Sequence, residues 1–364
     1  MSKTIFMTGV SGLIGRWTVA RLTADGHKVI ALLRNSEARA PMLSSWVAGH
    51  GGDPERLEFV EGDLAEDDLG LSPQDRQRLL QANAIYHLGA RMDWGMDVEA
   101  FHRVNVQATE YLLALSREMP GFERFVHISG YLITAAAFWR QIGFDQEKLV
   151  ADKRAARKAF AAITKHATAY EISKIEADIL VRRARRDGVP AVIVNPSTVI
   201  GASGTGEAHQ IFGLEGLIDG VGAGSLPAVP GKPGDWLPLV PVDYLAALLA
   251  RGPWLDWAAG TDFTVLHNGS PDLKRLIGII AEELGRKAPS HYVPVWVLRP
   301  LLKAGLERRS GLPAKALAFI NDYRFDTSAA ERAAVETGLA LPDIEDALRL
   351  SIRYVLNRRA AQAA

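Results

Sequence analysis

Short apolar runs alternate with longer segments of helical periodicity over roughly the first 200 residues of the chain. Each run is apolar throughout, which is typical of strands that are buried on both faces of a parallel sheet. The predicted strands are Thr4–Thr8, Lys28–Leu33, Leu57–Glu61, Ala84–Leu88, Arg124–Ser129 and Ala191–Asn195. The segments between them predict helices, for example Leu13–Ala24 and Val98–Glu118. This alternation indicates βαβ units and therefore an α/β fold with a doubly wound parallel sheet.

The pattern changes at Gly201, and the change divides the chain into two predicted domains. Residues 1–200 form the α/β domain, and residues 201–364 form mainly a smaller substrate-binding lobe, with some segments that return to the first domain. The stretch Gly201–Asp235 is rich in Gly and Pro, which predicts a long loop system. The segment Pro289–Arg309 mixes aromatic, aliphatic and basic side chains, which favours a lid helix over an apolar pocket rather than contact with a membrane surface.

A glycine-rich turn, Thr8–Gly15, joins the first predicted strand to the first predicted helix. Glycines in such a turn allow the backbone to approach a pyrophosphate closely, and the helix N-terminus directs N–H groups and a positive dipole end toward the phosphates. A tight turn can also use glycine without binding anything, but the position between strand and helix favours a ligand site. The motif predicts a Rossmann-type dinucleotide site that is formed by Gly9, Ser11, Gly12, Leu13, Ile14 and Gly15.

An arginine follows the second predicted strand, where NAD-binding folds place an acid about twenty residues after the last glycine. This residue is Arg34, and no acid precedes it in the strand. A guanidinium pairs with the 2′-phosphate of NADP(H), whereas a carboxylate repels it. The predicted cofactor is therefore NADP(H), with Arg16 or Arg39 as alternative partners of the phosphate. The remaining alternative is that Arg34 is only a solvated loop charge.

Tyr170 and Lys174 lie four residues apart in a predicted helix that ends at about Arg186. Positions i and i+4 share a helix face, and an ammonium beside a phenol is expected to lower the phenol pKa toward working pH. Tyr170 is then a candidate acid for protonating a carbonyl oxygen, and Lys174 is expected to bond the nicotinamide ribose. A Tyr and a Lys at this spacing are usually surface residues without a catalytic role. Together with the glycine turn, this spacing predicts a catalytic pair.

Composition excludes several other classes of protein. Basic and acidic residues number 42 each, so the net charge gives no indication of nucleic-acid binding. The absence of cysteine excludes disulfides and Cys-type zinc sites, and the nine histidines lack metal-ligand spacing, so no metal site is expected. No apolar run is long enough to span a bilayer, and no signal peptide is predicted, so a cytoplasmic location is expected. The basic cluster Arg182, Arg183, Arg185 and Arg186 is interpreted as the outer face of a helix.

Over nearly the whole chain these elements resemble the extended short-chain dehydrogenase/reductase family. Besides the glycine turn and the Tyr170/Lys174 pair, the resemblance is carried by Gly62-Asp63-Leu64, Tyr86-His87-Leu88-Gly89-Ala90, Asn105-Val106-Gln107-Ala108-Thr109, Glu176, Asn195-Pro196-Ser197-Thr198-Val199-Ile200-Gly201 and Val242-Asp243-Tyr244-Leu245. The resemblance implies that Tyr170 and Lys174 also contact the cofactor. The further cofactor-binding residues that it implies are Asp63, Leu64, Leu88, Gly89, Ala90, Asn105, Pro196 and Val199.

Within this family, two segments are similar to the thioester-reductase and fatty-acyl reductase branch, which reduces acyl thioesters to aldehydes or alcohols. One is Gly62–Ser72, which ends in Leu-Gly-Leu-Ser, and the other is Gly89–Trp94. The alternative for the first segment is an ordinary helix-start cap at Ser72. Trp94, Trp139 and Trp236 are candidates for lining a substrate pocket, although aromatic residues lie more often in a core.

The family normally supplies a Ser or Thr hydroxyl after the fifth strand, and this hydroxyl bonds the substrate carbonyl. Ser129 falls one or two residues before the usual position, where this chain has Gly130 and Tyr131. Either Ser129 serves, or Tyr131 or Thr134 replaces it, or the third hydroxyl is missing. Ser129 is the preferred catalytic candidate because it ends the fifth predicted strand, and ligands of open α/β sheets bind beyond the carboxyl ends of the strands.

The sequence therefore predicts an NADPH-dependent oxidoreductase that transfers hydride to the carbonyl group of an apolar acyl thioester or aldehyde. The apolar preference rests on Phe138–Ile142 and Pro289–Leu306, whose side chains suit an apolar pocket or else hold the two lobes together. A ketone or hydroxysteroid-type reductase is the first alternative. Arg34 argues against a nucleotide-sugar epimerase, and the Tyr170/Lys174 pair argues against an inactive dinucleotide-binding sensor. The oligomeric state is left open, with a homodimer among the options.

Overall fold

A seven-stranded sheet is the centre of the fold in the computed structural model. The strands of this sheet and of two smaller strand pairs are, in chain order, β1 (Thr4–Thr8), β2 (Lys28–Leu33), β3 (Leu57–Glu61), β4 (Ala84–His87), β5 (Arg124–Ile128), β6 (Ala191–Pro196), β7 (Thr198–Ile200), β8 (Val229–Pro230), β9 (Leu239–Pro241), β10 (Asp262–Val265) and β11 (Tyr292–Val293). The sheet order is β10-β6-β5-β4-β1-β2-β3, and the pairings among β1 to β6 are parallel. The predicted doubly wound parallel sheet is confirmed.

The structure describes residues 2–91, 98–134, 144–163, 169–211, 213–302, 317 and 320–363. Several predicted pocket residues therefore lie outside the described residues. They are Trp94, Trp139 and the segment Phe138–Ile142.

Helices flank the sheet and follow most of its strands. The α-helices are α1 (Leu13–Ala24), α2 (Ser36–Gly49), α3 (Pro73–Leu79), α4 (Val98–Phe101), α5 (Ala108–Glu118), α6 (Gln146–Ala151), α7 (Lys153–Ile163), α8 (Ala169–Arg186), α9 (Leu214–Gly222), α10 (Val242–Arg251), α11 (Leu273–Glu283), α12 (Val295–Leu301), α13 (Ser328–Glu336) and α14 (Ile344–Ala363). A π-helix, His102–Gln107, joins α4 to α5. Single 3₁₀ turns occur at Pro54–Arg56, Asp67–Gly70, Tyr131–Thr134, Gly252–Trp254 and Asp256–Ala258.

Two predicted elements differ from those observed. The single helix predicted over Val98–Glu118 is interrupted by the π-helix, whose wider turn inserts one extra residue into the helical repeat. The loop system predicted for Gly201–Asp235 contains α9 and β8. Both are short, and apolar residues among many glycines give only a weak periodic signal.

The face of the sheet that contacts α5 and α8 carries a hydrophobic core cluster near the predicted site. Phe125 of β5 is fully buried there, in one cluster with Leu112 of α5 and Val181 of α8. Side chains two residues apart along a strand share a face. His127 therefore lies on this same face, one step closer to the carboxyl end of β5, and the face changes from apolar to polar toward that end.

The chain divides into two compact units that are interleaved in sequence. The first unit contains Met1–Asn195, Ala246–Thr264 and Thr327–Leu339. The second contains Pro196–Leu245, Val265–Asp326 and Ala340–Ala364. The role of the second unit in binding a substrate stays a prediction.

The second unit contains two small parallel strand pairs, β7 with β9 and β8 with β11. In the predicted lid segment the structure has β11 and α12, and residues 303–316 lie outside the described part of the chain. Trp296 of α12 is 79% exposed, whereas Trp236 is buried and donates from its indole nitrogen to the Tyr323 carbonyl oxygen at 2.8 Å. Trp236 is thus a core residue of this unit. None of the helices in the described ranges has the length and apolarity needed to cross a bilayer.

Candidate active site

Close backbone contacts require two of the glycines in the turn after β1. Gly9 has a φ of +77°, and a Cβ there would lie 2.5 Å from the amide nitrogen of Gly89. A Cβ on Gly15, in the first turn of α1, would collide with the Gly9 carbonyl oxygen. The turn therefore packs directly against the loop after β4, and only hydrogen fits at both positions. A side chain at either position would displace the backbone of the turn.

Helix α1 presents an uncapped N-terminus at this turn. Its N-cap is Gly12, which has no side chain to accept from the first amides, and the first turn contains no acidic residue. The amides of Leu13 and Ile14 and the positive end of the helix dipole therefore suit an anion. Arg16 donates from Nη2 to the Ser11 carbonyl oxygen at 3.0 Å and so fixes the turn from the helix side. These residues fit the pyrophosphate of a dinucleotide.

Arg34 lies beyond β2 and forms a loose ion pair with Asp63. Its Nη1 is 3.4 Å from the carboxylate, and its side chain is 57% exposed. A pair of this kind contributes little in water, so the guanidinium can exchange the carboxylate for a phosphate.

Glu61, at the end of β3, is a neighbouring carboxylate that the sequence motifs do not predict. It accepts from the amides of Asn35 and Ser36 at 2.8 and 2.6 Å, at the start of α2. The Ser36 hydroxyl and these amides lower the pKa of Glu61, so it is ionised at neutral pH. Its sequence signal is its place at the carboxyl end of a parallel strand.

The Leu-Gly-Leu-Ser element supports the loop that carries Asp63. The Leu69 carbonyl oxygen accepts from the Asp63 amide at 2.9 Å, and Leu69 is buried with a φ of +60°. A non-glycine residue at positive φ is strained and persists only where its surroundings hold it. Ser72 accepts from the amide of Asp75 at 3.0 Å and caps α3. The helix-cap alternative for Ser72 is thus the geometry observed.

The loop after β4 connects the glycine turn to the π-helix. It contains Leu88, Gly89 and Ala90, and the Gly89 amide donates to Thr8 Oγ1 at 3.2 Å. Asn105 lies buried in the π-helix and accepts from the Arg91 amide at 2.8 Å. Contact of Asn105 with a cofactor stays a prediction.

Tyr170 and Lys174 occupy successive turns of α8. Lys174 Nζ donates to the Ile128 carbonyl oxygen at 2.6 Å, and this carbonyl immediately precedes Ser129. Tyr170 is half-buried, with its ring 6.1 Å from that of Phe101 in an edge-to-face contact. The structure therefore brings Lys174 to the carboxyl end of β5, with Tyr170 one turn earlier in the same helix.

Burial is the largest cause of the pKa shift of each of these two side chains. It raises the pKa of Tyr170 to about 12, with a smaller contribution from the Glu171 carboxylate. The expected lowering of this pKa by Lys174 is wrong for this geometry, because the ammonium is directed at the Ile128 carbonyl. Burial lowers the pKa of Lys174 to about 8, and Asp178 opposes this shift. At neutral pH the phenol is protonated, as a proton donor must be, and the amine is mostly charged.

The three candidate hydroxyls differ in their hydrogen bonds. Ser129 Oγ is buried and has no hydrogen-bond partner among the described residues, and the Ser129 amide donates to the Val194 carbonyl oxygen at 2.8 Å. Thr134 Oγ1 donates its proton to the Tyr131 carbonyl oxygen at 2.6 Å. Tyr131 is buried, and this burial raises the pKa of its phenol. The Thr134 hydroxyl is thus committed to a backbone carbonyl, and the catalytic role of Ser129 stays a prediction.

Two further polar side chains at the ends of β5 and β6 were not predicted. Within the described part of the chain, neither ring nitrogen of His127 and neither amide atom of Asn195 has a hydrogen-bond partner. Burial, and then the charge of Lys174, lowers the pKa of His127, so its ring is neutral. Buried polar groups without partners are rare and call for a functional explanation. Their sequence signal is a polar residue inside an apolar run.

The basic cluster of α8 is not a solvent-facing surface. Arg182 pairs with Asp178 at 2.6 Å and with Asp262 at 2.5 Å, and Arg185 pairs with the same Asp262. The two arginine side chains are only 17% and 13% exposed. The predicted outer face is wrong for these two residues because their partner, Asp262, lies far away in sequence. Arg186 is exposed as expected.

Two predicted cofactor residues, Pro196 and Val199, belong to the second compact unit. Pro196 ends β6, and Val199 pairs with Val240 of β9. Their contact with a cofactor stays a prediction. Among the residues that the structure describes, no group of three or more His, Asp or Glu side chains is arranged to hold a metal ion.

Comparisons with known proteins agree with this geometry. The family model described as male sterility protein, an NAD-binding family, matches residues 7–249. A putative dihydroflavonol 4-reductase of Synechocystis sp. is 28% identical over 98% of this chain and 96% of its own length. Fatty acyl-CoA reductase 2 of Homo sapiens is 24% identical over 69% of this chain, and the match spans 54% of that relative.

A solved structure shows the same fold. The terminal R domain from the myxalamid PKS-NRPS biosynthetic pathway superposes with a TM-score of 0.75 at 19% identity, over 98% of this chain and 91% of its own. The chain therefore belongs to the male sterility family of NAD-binding proteins, within the extended short-chain dehydrogenases/reductases and similar to their thioester-reductase and fatty-acyl reductase branch.

Proposed function

We propose that this protein uses NADPH to reduce the carbonyl group of an apolar acyl thioester or aldehyde. The observation that carries the proposal is the arrangement at the end of β5, where the Lys174 ammonium bonds the carbonyl beside Ser129, one helical turn from the protonated Tyr170 phenol. The proposal assigns a proton donor, a cation and an uncommitted hydroxyl to the sheet edge where ligands of open α/β sheets bind.

Each of the three side chains has a distinct task in the reaction. The reduced nicotinamide, when bound, supplies the hydride that reduces the carbonyl carbon. Tyr170 donates its phenolic proton to the carbonyl oxygen, and Ser129 donates a hydrogen bond to the same oxygen while negative charge develops there. Lys174 uses one N–H on Ile128 and has two more for the ribose.

With a thioester, one reduction gives a hemithioacetal, in which the carbon has gained C–H and the oxygen has gained the Tyr170 proton. Collapse breaks the C–S bond, the hydroxyl proton passes to sulfur, and aldehyde and thiol are released. Reduction of this aldehyde by a second NADPH gives the alcohol. The similarity to fatty acyl-CoA reductase 2 supports this substrate class.

The preference for NADPH rests on Arg34, whose exposed guanidinium is only loosely paired. Replacement by aspartate puts a like charge at the 2′-phosphate, so Arg34→Asp should weaken NADPH binding more than NADH binding. Both cofactors are titrated into wild type, Arg34→Asp and the control Arg117→Asp, whose exposed partner is Asp187. Equal wild-type affinities for NADPH and NADH would contradict the proposed cofactor.

The reaction is tested by measuring NADPH consumption with medium- and long-chain acyl-CoAs, the matching aldehydes and UDP-sugars, with products identified by mass spectrometry. We expect turnover of the thioester to an aldehyde or an alcohol. Turnover of a UDP-sugar without net NADPH consumption would overturn the proposal.

A second candidate function is the reduction of a ketone. It is favoured by the match to the putative dihydroflavonol 4-reductase, which extends over nearly all of both chains. Ketones, including a dihydroflavonol, therefore belong in the same panel. Activity on ketones with none on thioesters would assign the protein to this second function.

A further inference from the structure

A chain of buried hydrogen bonds runs through His87, a residue that the proposed reaction does not use. His87 ends β4 and is 2% exposed. Its Nδ1 lies 2.8 Å from the hydroxyl of Thr8, the residue before Gly9. Its Nε2 lies 3.0 Å from the hydroxyl of Thr109, in the first turns of α5. Both threonines are fully buried, so water does not compete for these bonds.

The positions of the hydrogens follow from counting donors. The Thr109 hydroxyl donates its one proton to the Asn105 carbonyl oxygen at 2.7 Å, so it accepts from His87 Nε2–H. A neutral imidazole then has its lone pair on Nδ1, which accepts from the Thr8 hydroxyl. Thr8 Oγ1 in turn accepts from the Gly89 amide. Burial, and then the charge of Lys174, lowers the pKa of His87 to about 3, so the ring stays neutral.

The far end of this chain reaches the helix that carries the proton donor. Asn105 Nδ2 donates to Ser173 Oγ at 2.9 Å, and Ser173 Oγ donates to the Tyr170 carbonyl oxygen at 2.8 Å. Asn105 belongs to the π-helix, and both its backbone carbonyl and its side chain take part in this chain of hydrogen bonds. One continuous path of hydrogen bonds therefore joins the glycine turn to the first turn of α8.

We infer that His87 is a positioning residue, whose neutral Nε2–H imidazole fixes the glycine turn relative to the π-helix and thereby relative to Tyr170. The inference rests on the proposed function, because it takes Tyr170 as the proton donor and the glycine turn as the cofactor site. His87 itself touches neither substrate nor reacting atoms. It holds the cofactor site and the proton donor Tyr170 at a fixed separation, and the rate depends steeply on this separation.

The test compares variants that cut the chain on either side of His87. Thr109→Val removes the bond on the Tyr170 side with almost no change of volume, and it should lower kcat by ~10-fold, the effect of one lost hydrogen bond of ordinary strength. The NADPH Kd should stay within about twofold. Thr8→Val cuts the other side and should raise the NADPH Kd by a similar ~10-fold.

In the double variant Thr8→Val/Thr109→Val the loss of kcat/KM for NADPH should be smaller than the product of the two single losses of kcat/KM, since the two bonds belong to one path. The matched control is Ser116→Ala, two turns further along α5. Ser116 is also buried, and its hydroxyl donates only to the Leu113 carbonyl oxygen. This control should keep wild-type kcat and Kd.

A spectroscopic measurement is independent of activity. In ¹⁵N-resolved NMR of the histidine rings, with the His87 signal assigned by its loss in His87→Gln, we expect an Nε2–H tautomer that does not titrate between about pH 5 and 9. An Nδ1–H tautomer, or titration in this range, would overturn the inference. So would equal losses of kcat and NADPH affinity in both Thr109→Val and Ser116→Ala. If instead Tyr170→Phe keeps full turnover, the proposed function itself fails, whatever the tautomer.

Discussion

At the scale of single residues, burial moves the pKa values of Tyr170 and Lys174 apart, in opposite directions. It raises the pKa of the phenol to about 12 and lowers that of the amine to about 8. Each shift favours the neutral form, because a charge loses hydration when it is buried. The phenol therefore stays protonated at every physiological pH and can serve as a proton donor. The amine is the member of the pair that titrates near physiological pH.

Replacing Tyr170 with phenylalanine should remove turnover while leaving NADPH binding almost intact, because the phenol supplies the proton and not the dinucleotide's main contacts. We expect kcat to fall by ~10²–10⁴-fold. Steady-state kinetics and an NADPH titration measure the two effects. Tyr111→Phe, on α5, removes a different phenol and should leave both unchanged. A Tyr170→Phe enzyme with more than half of wild-type kcat would show that another group donates the proton.

The pH dependence should report Lys174. Its pKa in the folded protein is lowered to about 8, so the ammonium is present below that pH and is lost above it. We expect kcat/KM for NADPH, which reports the free enzyme, to decline by about tenfold per pH unit above pH 8. His87 and His127 are both neutral in this range, so neither should add a limb near pH 6.5. In Lys174→Arg the alkaline limb should move beyond pH 10; a limb that stays at pH 8 would belong to another group.

Ser129→Ala should reduce kcat more than Thr134→Ala does. The Ser129 hydroxyl is uncommitted within the described residues, whereas Thr134 already donates its proton to the Tyr131 carbonyl. Losing a donor to a developing oxyanion costs ~10²-fold or more. The two variants are compared under saturating NADPH. Indifference to Ser129→Ala would indicate that Tyr131 serves or that the third donor is missing.

At the scale of elements, ion pairs hold helix α8 against strand β10. Asp262 binds both Arg182 and Arg185, and the fully buried Asp178 holds Arg182 from the other side. Gln146 of α6 also donates to Asp178 at 2.9 Å. Two guanidinium groups with little exposure thus share two carboxylates. This network sets the position of the helix whose first turns carry Tyr170 and Lys174.

Removing one member of this network should destabilise the first unit. Asp262→Asn leaves Arg182 and Arg185 with one carboxylate between them, and breaking a fully buried pair costs ~3–5 kcal/mol. Because Asp262 is 27% exposed, we expect the lower part of that range or slightly less in the free energy of unfolding by urea. The control Asp187→Asn breaks an exposed pair with Arg117 and should cost less than about 0.5 kcal/mol. Equal effects of the two substitutions would contradict a structural role of the network.

The same elements show what can and cannot be inferred from sequence. β1, β2, β3 and α1 have the predicted bounds, because strands buried on both faces are apolar throughout and the glycines mark where the helix starts. The π-helix was missed because, over six residues, its period differs too little from that of an α-helix. The ion pairs of Arg182 and Arg185 were missed because partners distant in sequence leave no periodic trace. The direction of the Lys174 ammonium depends on a carbonyl of β5, which no side-chain pattern encodes.

At the scale of the whole molecule, the first unit is discontinuous in sequence. Residues 1–195 supply six of its strands and the candidate catalytic helix, but Ala246–Thr264 and Thr327–Leu339 complete it. The later segments are not peripheral. The segment Ala246–Thr264 brings most of β10 to the edge of the sheet beside β6 and Asp262 to the arginines of α8.

This order of segments bears on how the protein is made. While the ribosome is still synthesising the second unit, the nascent chain has β6 as an unpaired sheet edge and two arginines of α8 without Asp262. Exposed edges invite pairing with other chains, so this stage of synthesis should need a chaperone. Ribosome-bound chains stalled at residue 200 should be cleaved readily by protease, whereas chains stalled well beyond residue 339 should resist. Equal resistance at both lengths would mean that the first six strands fold without their late-arriving partner.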